Sequence, residues 1–323
     1  MKKLLCVFMA VFLLAVAVMP LVGGTDPDKG SYIKYVEFNI TRDALNSAIE
    51  ADISSESEDI HIDCITVLAY LGAKYGGNFD SYKYSDMTDF IDRLKSGKSV
   101  NDITKGMQYF SYYQEAYTAA LNKMVDSFEE ENESGEMVQK YGIKWYSPIA
   151  KTFPYSCYDD FGVQRTYGYS RPHLGHDLMA AVGTPVIAVE SGTVECLGWN
   201  QYGGWRIGIR SDDGQRYWYY AHLRQNRPYA ENLKEGDKVN AGDVIGYVGR
   251  TGYSTTENVN NIDEYHLHLG LELIFDESQK DSDNEIWIDL YALTSVLEAH
   301  KSAVVRNSET KEFTRQYKFS EIE

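Results

Sequence analysis

Between Tyr265 and Phe275 leucine takes every second position, at Leu267, Leu269, Leu271 and Leu273. Side chains alternate faces along a strand, so this pattern specifies a β-strand whose leucine face packs into a core. His266 and His268 fall between the leucines and share the other face. Their Cα atoms then lie roughly 6–7 Å apart, from about 3.3 Å per residue. One imidazole can hold a metal while the other reaches the water bound to it.

Two more patches carry the same residue types. His173 and Asp177 stand in R-P-H-L-G-H-D, and His222 stands in Y-Y-A-H-L. Neutral imidazole nitrogen and carboxylate oxygen suit a catalytic zinc, where three protein ligands leave a fourth position for water. A straight strand would separate His173 and Asp177 by roughly 13 Å. That is too far for one ion with bonds of about 2 Å. The chain is therefore expected to bend between them, with Gly175 supplying the flexibility. His176 is expected to point differently from Asp177 and to pack or support the ligands. His222 follows a strand and by alternation should share a face with Trp218 and Tyr220. Alone, each histidine reads as an ordinary core or surface residue. Their combination carries the inference.

The rest of the chain divides by composition. Residues 25–128 read as a helical domain. Ile62, Ile65, Leu68 and Leu71 recur at helical spacing, and Gly76-Gly77 ends that helix. A second helix is expected from Asp86 to Leu94. Ser99 to Asp102 resembles a capping box opening one long helix through Phe110, Tyr117 and Met124. Its tyrosines read as packing core, with a peptide- or glycan-binding groove as the alternative. Residues 129–144, opening on three glutamates, read as an acidic linker. From Trp145 the chain turns to short alternating runs. Strands are expected at 186–189, 193–197, 205–210, 215–220, 244–248 and 265–275, with Asp213-Gly214 as a hairpin turn. A helix is expected near 290–300, then a loosely attached charged tail at 301–323. The fold class is α+β: an N-terminal helical domain followed by a mostly antiparallel β-sheet domain.

The chain has 323 residues and a net charge of −17, which excludes nucleic acid as a partner because phosphate binding needs a basic face. Residues 1–24 read as a signal peptide. Lys2 and Lys3 precede an apolar run, and Val22-Gly23-Gly24 supplies a small-residue cleavage site. An uncleaved anchor is the competing reading, and it would be the only membrane contact. Either way the bulk of the chain lies outside the cytoplasm. Cys64, Cys157 and Cys196 are an odd number without a close pair, so neither a disulfide framework nor a thiolate zinc site is expected.

These motifs resemble the M23 peptidases, the lysostaphin/LytM-type zinc endopeptidases of peptidoglycan. The stretch from Arg171 through R-P-H-L-G-H-D to Val194 is similar to that family's first motif and the strand pair after it. Y-A-H-L at 220–223 is similar to its middle motif, and 236–252 to its glycine-rich turn region. H-L-H-L-G-L-E at 266–272 is similar to its last motif. The likeness runs from about Ser147 to Phe275 and implies an M23-type zinc peptidase domain over 145–300. It assigns His173, Asp177 and His268 to one Zn2+ per chain, and His266 and His222 to catalysis. His176 departs from the apolar residue the family commonly has there. Tyr167, six residues before His173, is a further candidate oxyanion donor. The implied substrate is a peptide stem or cross-bridge of peptidoglycan, cut by a secreted or cell-wall-associated bacterial enzyme. Trp199, Tyr202, Trp205 and Trp218 are candidates for lining its groove. The alternative is a non-catalytic zinc-containing module that binds cell-wall peptide or a partner protein.

Overall fold

Helices come first because the early sequence supplies their caps. In the computed structural model, which describes residues 32–280 and 282–322, α1 spans Arg42–Ser55 and α2 spans Cys64–Tyr75. The Asp63 carboxylate accepts the Thr66 N–H at the start of α2, and Gly76 ends it at φ 60. Then follow α3 (Tyr84–Lys95), α4 (Val100–Thr104) and α5 (Phe110–Leu121). The single long helix expected from Ser99 is thus two helices. Gly106, at φ 87, turns the chain between them. Tyr113 and Tyr117 of α5 are buried, with Tyr117 packed edge-on to Phe38, so these rings belong to the core.

Residues 129–144 are not an open linker. Strands β1 (Val125–Glu131) and β2 (Met137–Ile143) form an antiparallel hairpin there. The turn is built by Asn132, whose side-chain oxygen accepts the N–H groups of Ser134 and Glu136, and by Gly135 at φ 82. The acidic composition hid a well-formed turn, and Lys140 pairs with Glu130 across the hairpin.

The main sheet has eight strands, every neighbouring pair antiparallel. Its elements begin with β3 (Ser156–Cys157). A small hairpin of β4 (Gln164–Tyr167) and β5 (Tyr169–Pro172) leads into β6 (His176–Met179). After β7 (Pro185–Ile187) come β8 (Gly192–Asn200), β9 (Gly204–Ser211) and β10 (Arg216–Ala221). Then follow β11 (Lys238–Val239), β12 (Val244–Tyr247), β13 (Leu267–Leu273) and β14 (Ile286–Trp287). The order is β11-β8-β9-β10-β13-β6-β3, with β14 on the free stretch of β13, while β7 and β12 pair separately. All four leucines of β13 are fully buried, as their alternation requires. They pack in one continuous core that also holds the helix residues Leu45, Leu68 and Tyr117.

Helix α6 (Tyr291–Leu297) follows. The expected loose tail is instead structured. Strand β15 (Val304–Arg306) pairs with β16 (Phe313–Arg315), and β17 (Phe319–Glu321) pairs with β1. Phe319 is buried and stacks on Phe128, with centroids 5.5 Å apart, while Glu321 pairs with the buried Lys144. A few apolar residues among many charges suffice to anchor a strand when a partner edge is waiting. The signal peptide expected at 1–24 lies outside the described residues. None of the described helices is long and apolar enough to cross a membrane.

Candidate metal centre

Sheet register brings the patches together. On β13 His268 stands opposite Asp177 of β6 on one side and Ala221 of β10 on the other. His173 precedes β6, past the end of β5. The chain bends there at Leu174-Gly175, where the sequence requires it. Gly175 serves by its size. A Cβ at this position would lie 2.4 Å from the Leu269 carbonyl oxygen and 2.8 Å from Cε1 of His268. The hydrogen of Gly175 lets the loop close onto the imidazole. Gly175→Ala is expected to push His268 aside and weaken zinc affinity by about 10- to 100-fold, the range for loss of support around a metal ligand. Competition against a chelating dye measures it, and unchanged affinity would show that the loop can yield.

His173 Nε2, Asp177 Oδ1 and His268 Nδ1 are 2.7, 3.1 and 3.4 Å from one another. A tetrahedral shell with bonds of about 2 Å has edges of roughly 3.3 Å. Asp177 Oδ1 is buried and accepts no well-formed hydrogen bond, although three imidazoles lie within 3.5 Å of it. An unsatisfied buried carboxylate oxygen facing two imidazole nitrogens is a donor set that fits a divalent cation.

Support around the cluster fixes the tautomers. His173 Nδ1 faces both the backbone oxygen of Asp160 and its carboxylate Oδ2, each at 3.2 Å. Both can only accept, so Nδ1 carries the proton and Nε2 turns its lone pair on the cluster. Arg165 donates to Asp160 at 2.5 Å and to the second oxygen of Asp177 at 3.0 Å. Burial opposes charge on the Asp177 carboxyl, but the His173 and His268 imidazoles facing it outweigh this and hold the group well below the usual carboxylate range. Burial pushes His268 below the usual imidazole range, although Asp177 opposes this. Asp160 and Arg165 were not legible in the sequence. A supporting carboxylate was to be expected, but no spacing rule selects one across a loop.

His266 and His222 stand beside the cluster with ring centroids 4.7 Å apart. Nδ1 of His266 donates to the Glu264 carbonyl at 3.0 Å, and Nδ1 of His222 donates to the Thr251 carbonyl at 2.9 Å. In the neutral ring each Nε2 is then the acceptor. Burial, with His266 and His268 nearby, holds His222 well below the usual imidazole range, so it is neutral at pH 7. His222 does not share a face with Trp218 and Tyr220. It lies beyond the end of β10 at φ 61, and this left-handed turn swings its ring to the cleft side.

His176 is fully buried. Its Nδ1 donates to the Tyr158 carbonyl at 3.0 Å, and Nε2 lies 2.9 Å from the Asp289 carboxylate. Burial disfavours its charge, but Asp160 and Asp289 outweigh this and push it up to about 9. It ties β6 to the start of α6. Tyr167 stacks on Tyr253 at 4.8 Å, and Tyr253 is the ring that meets His222 and lines the cleft. Among the aromatic candidates only Tyr202 lines the cleft, whose volume is about 530 Å³. Trp218 is buried against Trp145, and Trp199 packs on Trp205. Cys157 and Cys196 are not bonded to each other.

Residues 171–281 match the model of peptidase family M23. The chain is similar to the L-Ala–D-Glu endopeptidase of Bacillus subtilis strain 168, 40% identical over 124 residues, covering 38% of this chain and 36% of that protein. It is also similar to lysostaphin of Staphylococcus simulans, 34% identical over 131 residues, covering 40% of this chain and 23% of that one. The chain thus spans about a third or less of these relatives' length. A solved structure from Ruminococcus gnavus ATCC 29149, described as a candidate glycyl-glycine endopeptidase lytM, aligns with a TM-score of 0.53 and 25% identity. That alignment covers 81% of this chain and 89% of the other. Its reach extends the shared fold beyond the residues of the family match. With His173, Asp177 and His268 brought together around an antiparallel sheet, residues 171–281 of this chain are a peptidase family M23 domain.

Proposed function

We propose that this chain is an exported zinc metalloendopeptidase that hydrolyses peptide bonds of bacterial cell-wall peptidoglycan. The observation that carries the reading is the buried, unsatisfied Asp177 Oδ1 within 3.4 Å of His173 Nε2 and His268 Nδ1, with two imidazoles beside it whose Nδ1 atoms face backbone carbonyls. His173, Asp177 and His268 would hold one zinc ion, with 145–300 as the hydrolytic unit. When bound, zinc supplies Lewis acidity toward a peptide carbonyl and favours ionisation of water near neutral pH. His266 and His222 supply the proton transfers. Each offers an Nε2 lone pair to the cleft because its Nδ1–H is committed to a backbone carbonyl. One takes the proton from the attacking water and the imidazolium returns it to the leaving amine nitrogen. Names of the relatives support the substrate class, and the apolar run before Gly24 supports export to the wall, or anchoring beside it if that run is retained.

Mass spectrometry of fragments released from purified peptidoglycans of several cross-bridge types tests the proposal. The expected result is cleavage of one bond class, absent after chelation and in His266→Ala. A protein that folds and retains zinc yet releases nothing from any wall preparation would favour the non-catalytic module.

A further inference from the structure

Among the described residues, the cleft contains a cation that forms no ion pair. The guanidiniums of most half-buried or buried arginines in this chain meet carboxylates. Arg165 pairs with Asp160 and Asp177, Arg210 with Glu195, Arg216 with Glu190, Arg224 with Glu312 and Arg315 with Glu130. Arg171 and Arg206 line the cleft and form no ion pair among the described residues. Each has a buried nitrogen without a hydrogen-bond partner, Nη1 of Arg171 and Nε of Arg206. Arg171 is compensated by aromatic faces, its guanidinium lying 4.7 Å from the Tyr202 ring centre and 5.5 Å from that of Tyr253. Arg206 has no such cage. In a chain of net charge −17, a half-buried guanidinium left this way points to a ligand that supplies the anion.

Its position relates it to the reacting centre. Ile207 of β9 pairs with Tyr220 of β10, so one more step of register sets Arg206 opposite Ala221, which pairs with His268. Arg206, Ala221, His268 and Asp177 therefore form one row across four strands, and all four line the cleft. Two strand spacings separate Arg206 from His268, roughly 10 Å at Cα. An extended peptide crosses that distance in about three residues.

We propose that Arg206 is a specificity-determining residue, the carboxylate-binding subsite of this cleft. The preferred substrate is then a peptide with a free carboxylate within about three residues of the scissile bond, and not a neutral bridge such as oligoglycine. Only the position of the scissile bond rests on the peptidase reading, because carboxylate binding can be measured without turnover.

The test uses the full chain carrying His266→Ala, loaded with zinc, and a stem peptide L-Ala-γ-D-Glu-L-Lys-D-Ala-D-Ala. Two further peptides have either the D-Glu α-carboxyl or the terminal carboxyl converted to amide. Calorimetric titration should show one amidation weakening binding by about 10- to 100-fold, the range for a charge-assisted hydrogen bond. Adding Arg206→Gln should shrink that ratio to within about threefold, and Arg206→Lys should keep part of it. Circular dichroism and zinc content confirm that the variants fold. Equal affinity for all three peptides, no binding of any, or a preference that survives Arg206→Gln overturns the proposal. Cleavage assays with the unsubstituted chain separate the two readings. Carboxylate preference without cleavage of any peptide sinks the peptidase and leaves the subsite. Cleavage indifferent to amidation does the reverse.

Discussion

His268→Ala is expected to lose zinc and hydrolysis together, whereas His266→Ala keeps zinc and loses turnover. The two side chains stand two residues apart, His268 on β13 and His266 just before it, yet their nitrogens are committed differently. His268 turns Nδ1 to His173 and Asp177. His266 spends Nδ1 on the Glu264 carbonyl and leaves Nε2 as an acceptor toward the cleft. Removing His268 takes one of three donors from a buried site. The loss of metal should lower activity on the order of 10³-fold or more, since the Lewis acid is worth several kcal/mol. Removing His266 should cost about 10²- to 10⁴-fold, the range for a proton-transfer group. Zinc content by inductively coupled plasma mass spectrometry, read beside the cleavage rate, separates the cases. A His266→Ala protein lacking zinc, or a His268→Ala protein that retains it tightly, would reverse the assignment.

Arg216→Ala is expected to cost about 3–5 kcal/mol of stability, the range for removing one partner of a buried ion pair. Arg216 is 1% exposed. Its Nε and Nη2 reach the Glu190 carboxylate, and Nη1 donates to the carbonyl of Ala119 near the end of α5. Glu190 also accepts from Trp218 Nε1 at 2.8 Å. The arginine thus joins the helical region to the sheet through buried groups. Without it, Glu190 is a buried carboxylate facing an unsatisfied helix carbonyl. Denaturant unfolding measures the loss. The double variant Arg216→Met with Glu190→Leu should recover much of it, because apolar replacements remove the stranded charge. A loss below about 1 kcal/mol in the single variant would mean that water reaches the site.

The two regions differ in how far their sequence could be read. The β13 strand was legible because alternation is a local signal and a slip of one residue would expose all four leucines. The meeting of His173, Asp177 and His268 was legible because few other uses gather histidine and aspartate in such patches. What stayed hidden depended on contacts distant in sequence. Asp160 supports the cluster from a loop and Arg165 from β4. The orientation of His222 depends on a left-handed backbone that its sequence neighbours do not announce. The size of Gly175 matters only because the Leu269 carbonyl passes so close. The acidic stretch at 129–136 misled because composition reports charge and not partners. Its glutamates sit in a hairpin whose outer edge is filled from the far end of the chain.

That last pairing bears on how the protein is made. Phe319 meets Glu130, so the β1 edge stays open until the chain has been synthesised past residue 319. An unpaired strand edge recruits whatever strand is nearest, including that of another molecule. Contacts so distant in sequence also form slowly. The β1–β2 hairpin therefore waits on residues 319–321 for its outer strand, and a chain cut short of them is left sticky at that edge.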